Sequence, residues 1–440
     1  MRVLIAALNQ EQQPDPVMPL GALCVAETAR AEGCEVAFFD ACFSGEAWRT
    51  ELSGLLSDFQ PDLVGLSLRN VDDVAWPRAR CFLSHYQEAL TLVREALPSC
   101  LTVLGGSAFS LFPQALMDLL PADYGVAGSG EQAFAQLIQC LMNGDRPKQP
   151  ILRSSSDVHA LPALDLVDVK RYLSEGGMLN VQSKRGCAFK CSYCTYPLLE
   201  GRHVRMQWPG SVAQYLKQTQ DAYGVDYVYF VDNVFNVPSH HAKELCRALI
   251  DEGVAMGWTA QVTPVGLDRS LLQMMKESGC TSIDLGTDSL SEPTLHALGK
   301  SFRVEDVERV SRWCHEIGLK FSMSLILGGP DETDETLNQT ITRVSACAPT
   351  AVVAFLGVRV YPCTPVHGRL LRDGFLDGTE DLLRPLFYVS PQVEPHLLQT
   401  AKELKKVRRN WWFPGLEGPS RFCRRARARG VRGPLWELLG

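Results

Sequence analysis

The sequence predicts an α/β protein: an N-terminal doubly wound, Rossmann-like parallel sheet, then a partial (β/α)6 barrel, then a small C-terminal element. Three observations predict it. Short apolar strands alternate with helix-patterned segments over residues 1–145, and a second alternation starts at Met178. Between them lies a stretch broken by "GDRPKQP", "RSSSD" and "LPALDL", a composition that marks a boundary. The reading is a first domain at 1–145, a linker at 146–177, a second domain at 178–375, and a C-terminal element with a basic tail at 376–440.

In the first domain the strands are "RVLIAAL" (2–8), "EVAFFD" (35–40), "PDLVGLSL" (61–68), "LTVLGG" (101–106) and "DYGVAG" (123–128). Helical patterns occupy 20–33, 46–58, 78–97 and 131–144. A parallel sheet of this kind binds ligands beyond the carboxyl ends of its strands. That directs attention to Leu8–Leu20, Ser67–Asp73, Gly105–Ser110 and Gly128–Glu131. In the second domain the strands are 178–184, 226–232, 257–263, 281–288, 320–327 and 351–361. Six β/α units without closure give a partial barrel, whose site belongs at the carboxyl ends of its strands.

With 46% hydrophobic and 21% charged residues, the chain has the composition of an ordinary globular protein. The N-terminal apolar run is too short for a signal peptide, and no apolar run reaches the roughly 20 residues of a membrane span. A cytoplasmic protein is expected. The net charge of −7 hides an asymmetry, since residues 401–440 carry eleven Lys/Arg against three Glu. A solvated or disordered tail is the plain reading of "RFCRRARARGVRG".

Most of the 15 cysteines stand singly in apolar patterns and read as small core residues. "KRGCAFKCSYCTY" (184–196) differs, because Cys187, Cys191 and Cys194 fall in a CxxxCxxC spacing just after a strand. A structural zinc site wants four ligands, usually in paired sets, and no second pair occurs here. An iron–sulfur cluster also takes thiolates, normally four, so three would leave one iron open.

With an aromatic, Tyr193, before the third cysteine, the spacing resembles the radical S-adenosylmethionine (SAM) superfamily. Further segments are similar to that superfamily in order: "YVYFVDNVFN" (227–236), "GTDSLSEPTLHALGKSF" (286–302), "LGGPDETDET" (327–336) and "RVYPCTP" (359–365). Before them, "PVMPLGALCVAETARAEGCEV" (16–36), "VLGGSAFSLFP" (103–113) and "YGVAGSGEQAF" (124–134) resemble the cobalamin-binding domain of its cobalamin-dependent class.

The resemblance implies three cofactors: a [4Fe–4S] cluster on Cys187, Cys191 and Cys194, SAM, and cobalamin. It implies SAM contacts from Tyr193, Asp232, Asp288, Ser289, Gly328, Gly329 and Pro330. For cobalamin it implies Leu20, Gly21, Ser67, Leu68, Arg69, Asn70, Gly105, Gly106, Ser107, Gly128, Gly130 and Glu131. The family's DxHxxG histidine segment is absent. "LSLRNVDD" (66–73) stands there instead, with Arg69 a candidate beneath the cobalt face. Asp232, Tyr361 and His203 are candidate cleft residues for catalysis.

The activity implied is methyl transfer to an unactivated carbon through a 5′-deoxyadenosyl radical and methylcobalamin. The substrate would be a natural-product, peptide or lipid-type molecule, and an external electron donor is needed. Nucleic acid is not an expected partner. A cyclase, rearrangement or oxidase reaction on the same cofactors is the alternative, and a non-catalytic cobalamin-binding protein the alternative of another class.

Overall fold

The computed structural model describes residues 1–154, 160–417 and 421–439. The expected linker and tail therefore fall partly outside the described residues. The chain forms two compact units: Met1–Asp73 with Cys81–Arg171 and Leu198–Gly201, and Val74–Arg80 with Tyr172–Pro197 and Arg202–Gly440.

The first unit is a six-stranded parallel sheet. Its strands are β1 (Arg2–Ala7), β2 (Glu35–Asp40), β3 (Leu63–Ser67), β4 (Leu101–Gly105), β5 (Tyr124–Gly128) and β6 (Ile151–Ser154), in spatial order β2-β1-β3-β4-β5-β6. Central β1 is buried from Val3 to Ala7, the continuous apolar run of a strand covered on both faces. One face packs Val3, Ile5, Val103 and Val126 against Ala22, Ala26, Phe134 and Leu137 of the helices Leu20–Ala31 and Gly130–Met142.

Two expectations change here. Ile151–Ser154, inside the expected linker, is the sixth strand and pairs in parallel with β5. A four-residue edge strand next to Pro150 carries too little pattern to stand out, and an edge is where a neighbouring proline costs no ladder bond. The third helix starts at Leu83 rather than 78, because Asp72 and Cys81 bridge across the preceding loop.

In the second unit β7 (Leu179–Val181) is followed by an antiparallel pair, β8 (Lys184–Arg185) and β9 (Arg205–Met206). Then come β10 (Tyr227–Phe230), β11 (Gly257–Val262), β12 (Cys280–Asp288), β13 (Lys320–Leu327) and β14 (Ala351–Leu356). A second antiparallel pair, β15 (Val358–Arg359) and β16 (Phe387–Tyr388), precedes β17 (Trp411–Trp412). The large sheet is parallel, in the order β17-β14-β13-β12-β11-β10-β7.

The six expected barrel strands are thus joined by a seventh from "NWWFPG", which pairs in parallel with β14. Trp411 is buried and stacks on Phe413 at 5.9 Å between ring centroids, so its ring is core. The outward face is apolar: Phe230, Trp258, Ile283, Leu285, Met323 and Val352 are all buried there. The opposite face carries Tyr229, Gln261, Asp284 and Ser324, all partly exposed. Strand alternation separates the two sets, so the polar set faces the barrel interior.

The described part of the basic tail is folded, contrary to the plain reading. Arg421–Ala428 is helical and Leu435–Leu439 a 3₁₀ turn. Arg432 binds Asp226 at 2.6 Å and donates to the Leu173 carbonyl at 3.2 Å. Glu437 Oε1 accepts from Tyr227 (2.8 Å), Thr281 (2.9 Å) and Ser282 (2.6 Å), while Lys320 donates to the Glu437 carbonyl at 2.6 Å. These partners stand at the N-terminal ends of β10, β12 and β13, so the segment closes the floor of the barrel. Arg432 and Glu437 are thus used within the fold, which composition alone could not reveal, while Arg424, Arg425 and Arg429 stay exposed.

Candidate functional site

The cysteine loop begins where β8 ends, and Asp232, just past β10, holds its root. Asp232 Oδ1 accepts from the Ser183 and Lys184 amides at 2.7 and 3.1 Å, and Oδ2 accepts from the Ser183 hydroxyl at 2.5 Å. Lys184 lies 3.6 Å from the same carboxylate and donates to the Phe235 carbonyl at 2.5 Å. Ser183 also meets His241 Nε2 at 3.2 Å. Burial, with Lys184 nearby, depresses the His241 pKa to about 4, so its ring is neutral in the fold.

The loop's far side is held by the β12 end. The Ser192 amide donates to the Leu298 carbonyl at 2.9 Å, and the Val366 amide to the Ser192 carbonyl at 2.8 Å. Tyr193 packs on the apolar cluster of Ile326, Val358, Val360 and Val366. Its hydroxyl donates to Asp288 Oδ2 at 2.5 Å, and Lys300 reaches the same oxygen at 2.6 Å. Asp288 has φ of 62°, a left-handed conformation rare for a non-glycine residue. Burial alone would lower the Lys300 pKa, but Asp288 and Cys191 offset it and the net shift is upward.

Cys187, Cys191 and Cys194 are partly exposed. Burial raises Cys191 and lifts Cys194 to about 12, so these thiols stay protonated unless a metal centre supplies positive charge. Among the described residues no three His, Cys, Asp or Glu side chains gather around a point that one metal ion would fill. A single zinc at about 2.3 Å from each sulfur requires that convergence. A cubane cluster binds each cysteine through a different iron and tolerates wider spacing.

Beyond β13 the chain turns at Gly328, with φ of 84°. A Cβ there would lie 2.7 Å from Leu397 Cδ2. The Gly328 amide donates to Glu332, whose carboxyl is buried and raised by burial to about 7. Glu332 Oε1 and Ser192 Oγ are buried polar atoms without a hydrogen-bond partner. Both lie at the cysteine loop and glycine turn expected to receive a polar ligand, so the residues fit one.

In the first unit, Ser67, Arg69, Asn70, Gly105, Gly106, Ser107, Gly128 and Gly130 lie along the carboxyl ends of β3, β4 and β5, partly or fully exposed. Gly106, with φ of 94°, sits where a Cβ would run into the Leu68 carbonyl. Ser107 donates to the Arg69 carbonyl. Gly21 faces open space, with nothing within 4 Å of an added Cβ. The opening over these strand ends therefore combines small residues with free room, which fits a nucleotide-tailed ligand.

Some expected contacts take other roles. Asp232 is buried and occupied, so its side chain positions the loop rather than lining a cleft. Ser289 is fully buried and bonds Thr340 at 3.0 Å, so it fixes the turn after β12. The Leu68 side chain is wholly buried, and its amide and carbonyl are used by Gly105 and Ala108. Glu131 is buried in the first turn of its helix. His203 is exposed on a loop. Tyr361 is partly exposed beneath the Arg359 guanidinium, 4.7 Å from its ring centroid. Lys300, Lys184 and Glu332 were missed although all three lie inside quoted motifs, because their burial and pairing depend on the fold.

Family models match in the same two places. Residues 14–138 match the B12 binding domain and residues 181–344 the radical SAM superfamily. The tryptophan 2-C-methyltransferase of Streptomyces laurentii is 25% identical over 437 residues, covering 81% of this chain and 73% of that one. The anaerobic magnesium-protoporphyrin IX monomethyl ester cyclase of Cereibacter sphaeroides is 25% identical over 283 residues, covering 58% of this chain and 46% of that one. In fold, the chain resembles the radical S-adenosylmethionine methyltransferase TsrM from Kitasatospora setae, solved with tryptophan and a SAM analogue. The TM-score is 0.86 at 23% identity, over 100% of this chain and 97% of that one.

A parallel B12-binding sheet joined in one chain to a barrel with a three-cysteine loop defines a cobalamin-dependent radical SAM enzyme. The chain carries both domains of that class, and its relatives include methyltransferases as well as the cyclase. No described helix is long and apolar enough to cross a membrane.

Proposed function

We propose that this enzyme methylates carbon in a small-molecule substrate, taking electrons from an external donor. The observation that carries the reading is the cysteine loop, three partly exposed cysteines clamped between Asp232 at its root and Asp288 at its far side. When bound, the cluster supplies an electron to SAM and cobalamin carries the methyl group to the substrate.

The chain's own residues position and enclose. Cys187, Cys191 and Cys194 would hold the cluster and leave one iron for SAM. Tyr193, with Asp288 and Lys300 behind it, sets the loop against β12. Gly328, Gly329 and Pro330 offer backbone at close range, and Glu332 fixes that turn from beneath. Ser67, Arg69, Asn70, Gly105, Gly106, Ser107, Gly128 and Gly130, with Leu20 and Gly21, would receive cobalamin. Arg69, permanently cationic and a poor metal ligand, would keep the lower cobalt face free of a protein donor.

The test is anaerobic reconstitution with iron, sulfide and cobalamin, followed by incubation with methyl-labelled SAM, a reductant and candidate small molecules. Labelled product with S-adenosylhomocysteine supports methyl transfer. Deoxyadenosine with altered substrate and no S-adenosylhomocysteine would move the assignment to the ring-forming chemistry named for the cyclase relative.

A further inference from the structure

Three aspartates on or just beyond the barrel strands, Asp232 and Asp288 buried and Asp284 partly exposed, are not equivalent. Asp232 has Lys184 at 3.6 Å and Asp288 has Lys300 at 2.6 Å. Asp284, midway along β12, has no cation among the described residues. Its two hydrogen-bond donors are hydroxyls: Tyr229 at 2.7 Å, and Ser322. A carboxylate removed from water is costly unless paired, and two neutral hydroxyls supply only part of the compensation. Burial accordingly raises the Asp284 pKa, with Glu437 nearby adding like-charge repulsion.

The surroundings are those of a lumen. In the strand register Asp284 stands between Gln261 and Ser322, and one pleat further on Gly286 stands beside Ser324, itself beside Val353. Tyr229, Gln261, Asp284, Ser324, Val353 and Phe355 are all partly exposed, whereas Ile283, Leu285, Met323 and Val352, on the opposite face, are buried. One wall of the lumen is therefore polar around Asp284, and the wall from β14 is apolar. At Gly286 the Val262 carbonyl and Gln261 Nε2 lie 3.5 and 3.6 Å from where a Cβ would stand, so polar atoms line the lumen there too. Glu437 closes the floor below.

We propose that Asp284 is the substrate anchor, and that it selects a molecule carrying a protonated amine on an apolar or aromatic body. The amine supplies the missing cation, and the body lies along Val353 and Phe355. Asp288 follows four residues later at the strand end, roughly 13 Å up the barrel at about 3.3 Å per residue. An anchored substrate would thus present its far end, not the carbon bearing the amine, at the mouth. This inference rests on the methyltransferase reading only for what happens at that far end.

Binding tests it without turnover. The cofactor-loaded protein, without reductant, is titrated by calorimetry with tryptamine, phenethylamine and hexylamine. Each is paired with the carboxylic acid of matched length, for tryptamine indole-3-propionate. The expected result is that at least one amine binds tighter than its acid partner. Asp284→Asn should weaken that amine by about tenfold or more, as for a lost charge-assisted hydrogen bond, and leave the acid unchanged. Acids binding as well as amines in every pair, or an amine affinity untouched by Asp284→Asn, would overturn the proposal. If the variant does not fold, the amine-over-acid preference of the unaltered protein decides by itself. Amine binding without any methylated product would count against the proposed reaction and leave the anchor standing.

Discussion

The Tyr193 hydroxyl donates to Asp288 Oδ2 at 2.5 Å, joining the cysteine loop to the carboxyl end of β12 through one oxygen that Lys300 also holds at 2.6 Å. Tyr193→Phe keeps the ring in its apolar cluster and removes only that link. A loss of about 1.5–3 kcal/mol in denaturant unfolding of the apo-protein is expected, as for one buried hydrogen bond to a charged group. Iron retention after reconstitution should fall. Retention equal to the unaltered protein would show that the link does not order the loop.

Asp232→Asn leaves Lys184 buried without its counter-charge. Stability should fall by about 3–5 kcal/mol, the usual result of breaking a buried pair from one side. Lys184→Met combined with Asp232→Asn should recover part of that loss. Equal loss in the single and double variants would mean that the amide bonds to Ser183 and Lys184, not the ion pair, set the cost.

His241 and Glu332 give pH dependences of opposite sign. The folded His241 pKa of about 4 lies below its ordinary value, so the unfolded chain binds the extra proton between the two. Its contribution to stability is full above about 6.5 and is lost as pH falls toward 4. The folded Glu332 pKa of about 7 lies above its ordinary value, so its contribution is full below about 4.5 and is lost as pH rises through 7. In the apo-protein, Glu332→Gln should flatten the decline toward neutral pH, and His241→Gln the decline on the acid side. Unchanged profiles from urea denaturation across pH 4–8 would remove both assignments.

Glycines distinguish folding from ligand room. Gly106→Ala, at φ of 94° and against the Leu68 carbonyl, should lower the melting temperature and abolish cobalamin uptake together. Gly21→Ala meets nothing within 4 Å and should leave the melting temperature unchanged or higher. If Gly21 borders cobalamin, uptake measured by visible absorbance should nevertheless weaken. Full uptake would place the ligand elsewhere over the sheet.

Much of this was legible in the chain because the signals are local. Most of the strands from Arg2 to Leu356 announce themselves by apolar runs between helical patterns, and the cysteine triad by spacing alone. What escaped depends on distant partners. Trp411–Trp412 becomes a strand only because β14 offers an unpaired edge, and Ile151–Ser154 because β5 does. Asp232 reads as a cleft acid until Lys184, 48 residues away in sequence, is seen beside it. Asp284 left one overlooked sign, a charge in the middle of "TSIDLGTD", where a strand buried on both faces would have none.

The Glu437 contacts at the barrel floor carry a kinetic corollary. With three hydroxyls on one carboxylate oxygen and Lys320 on the adjoining carbonyl, the described tail is fastened across the base. The vessel is blind at that end, so arrivals and departures share the upper rim or the seam between β7 and β17. A substrate that uses the rim must enter before anything that lids it, and its product must wait for that lid to leave. Turnover by the rim would then be ordered, with release of the spent cosubstrate preceding release of the modified molecule.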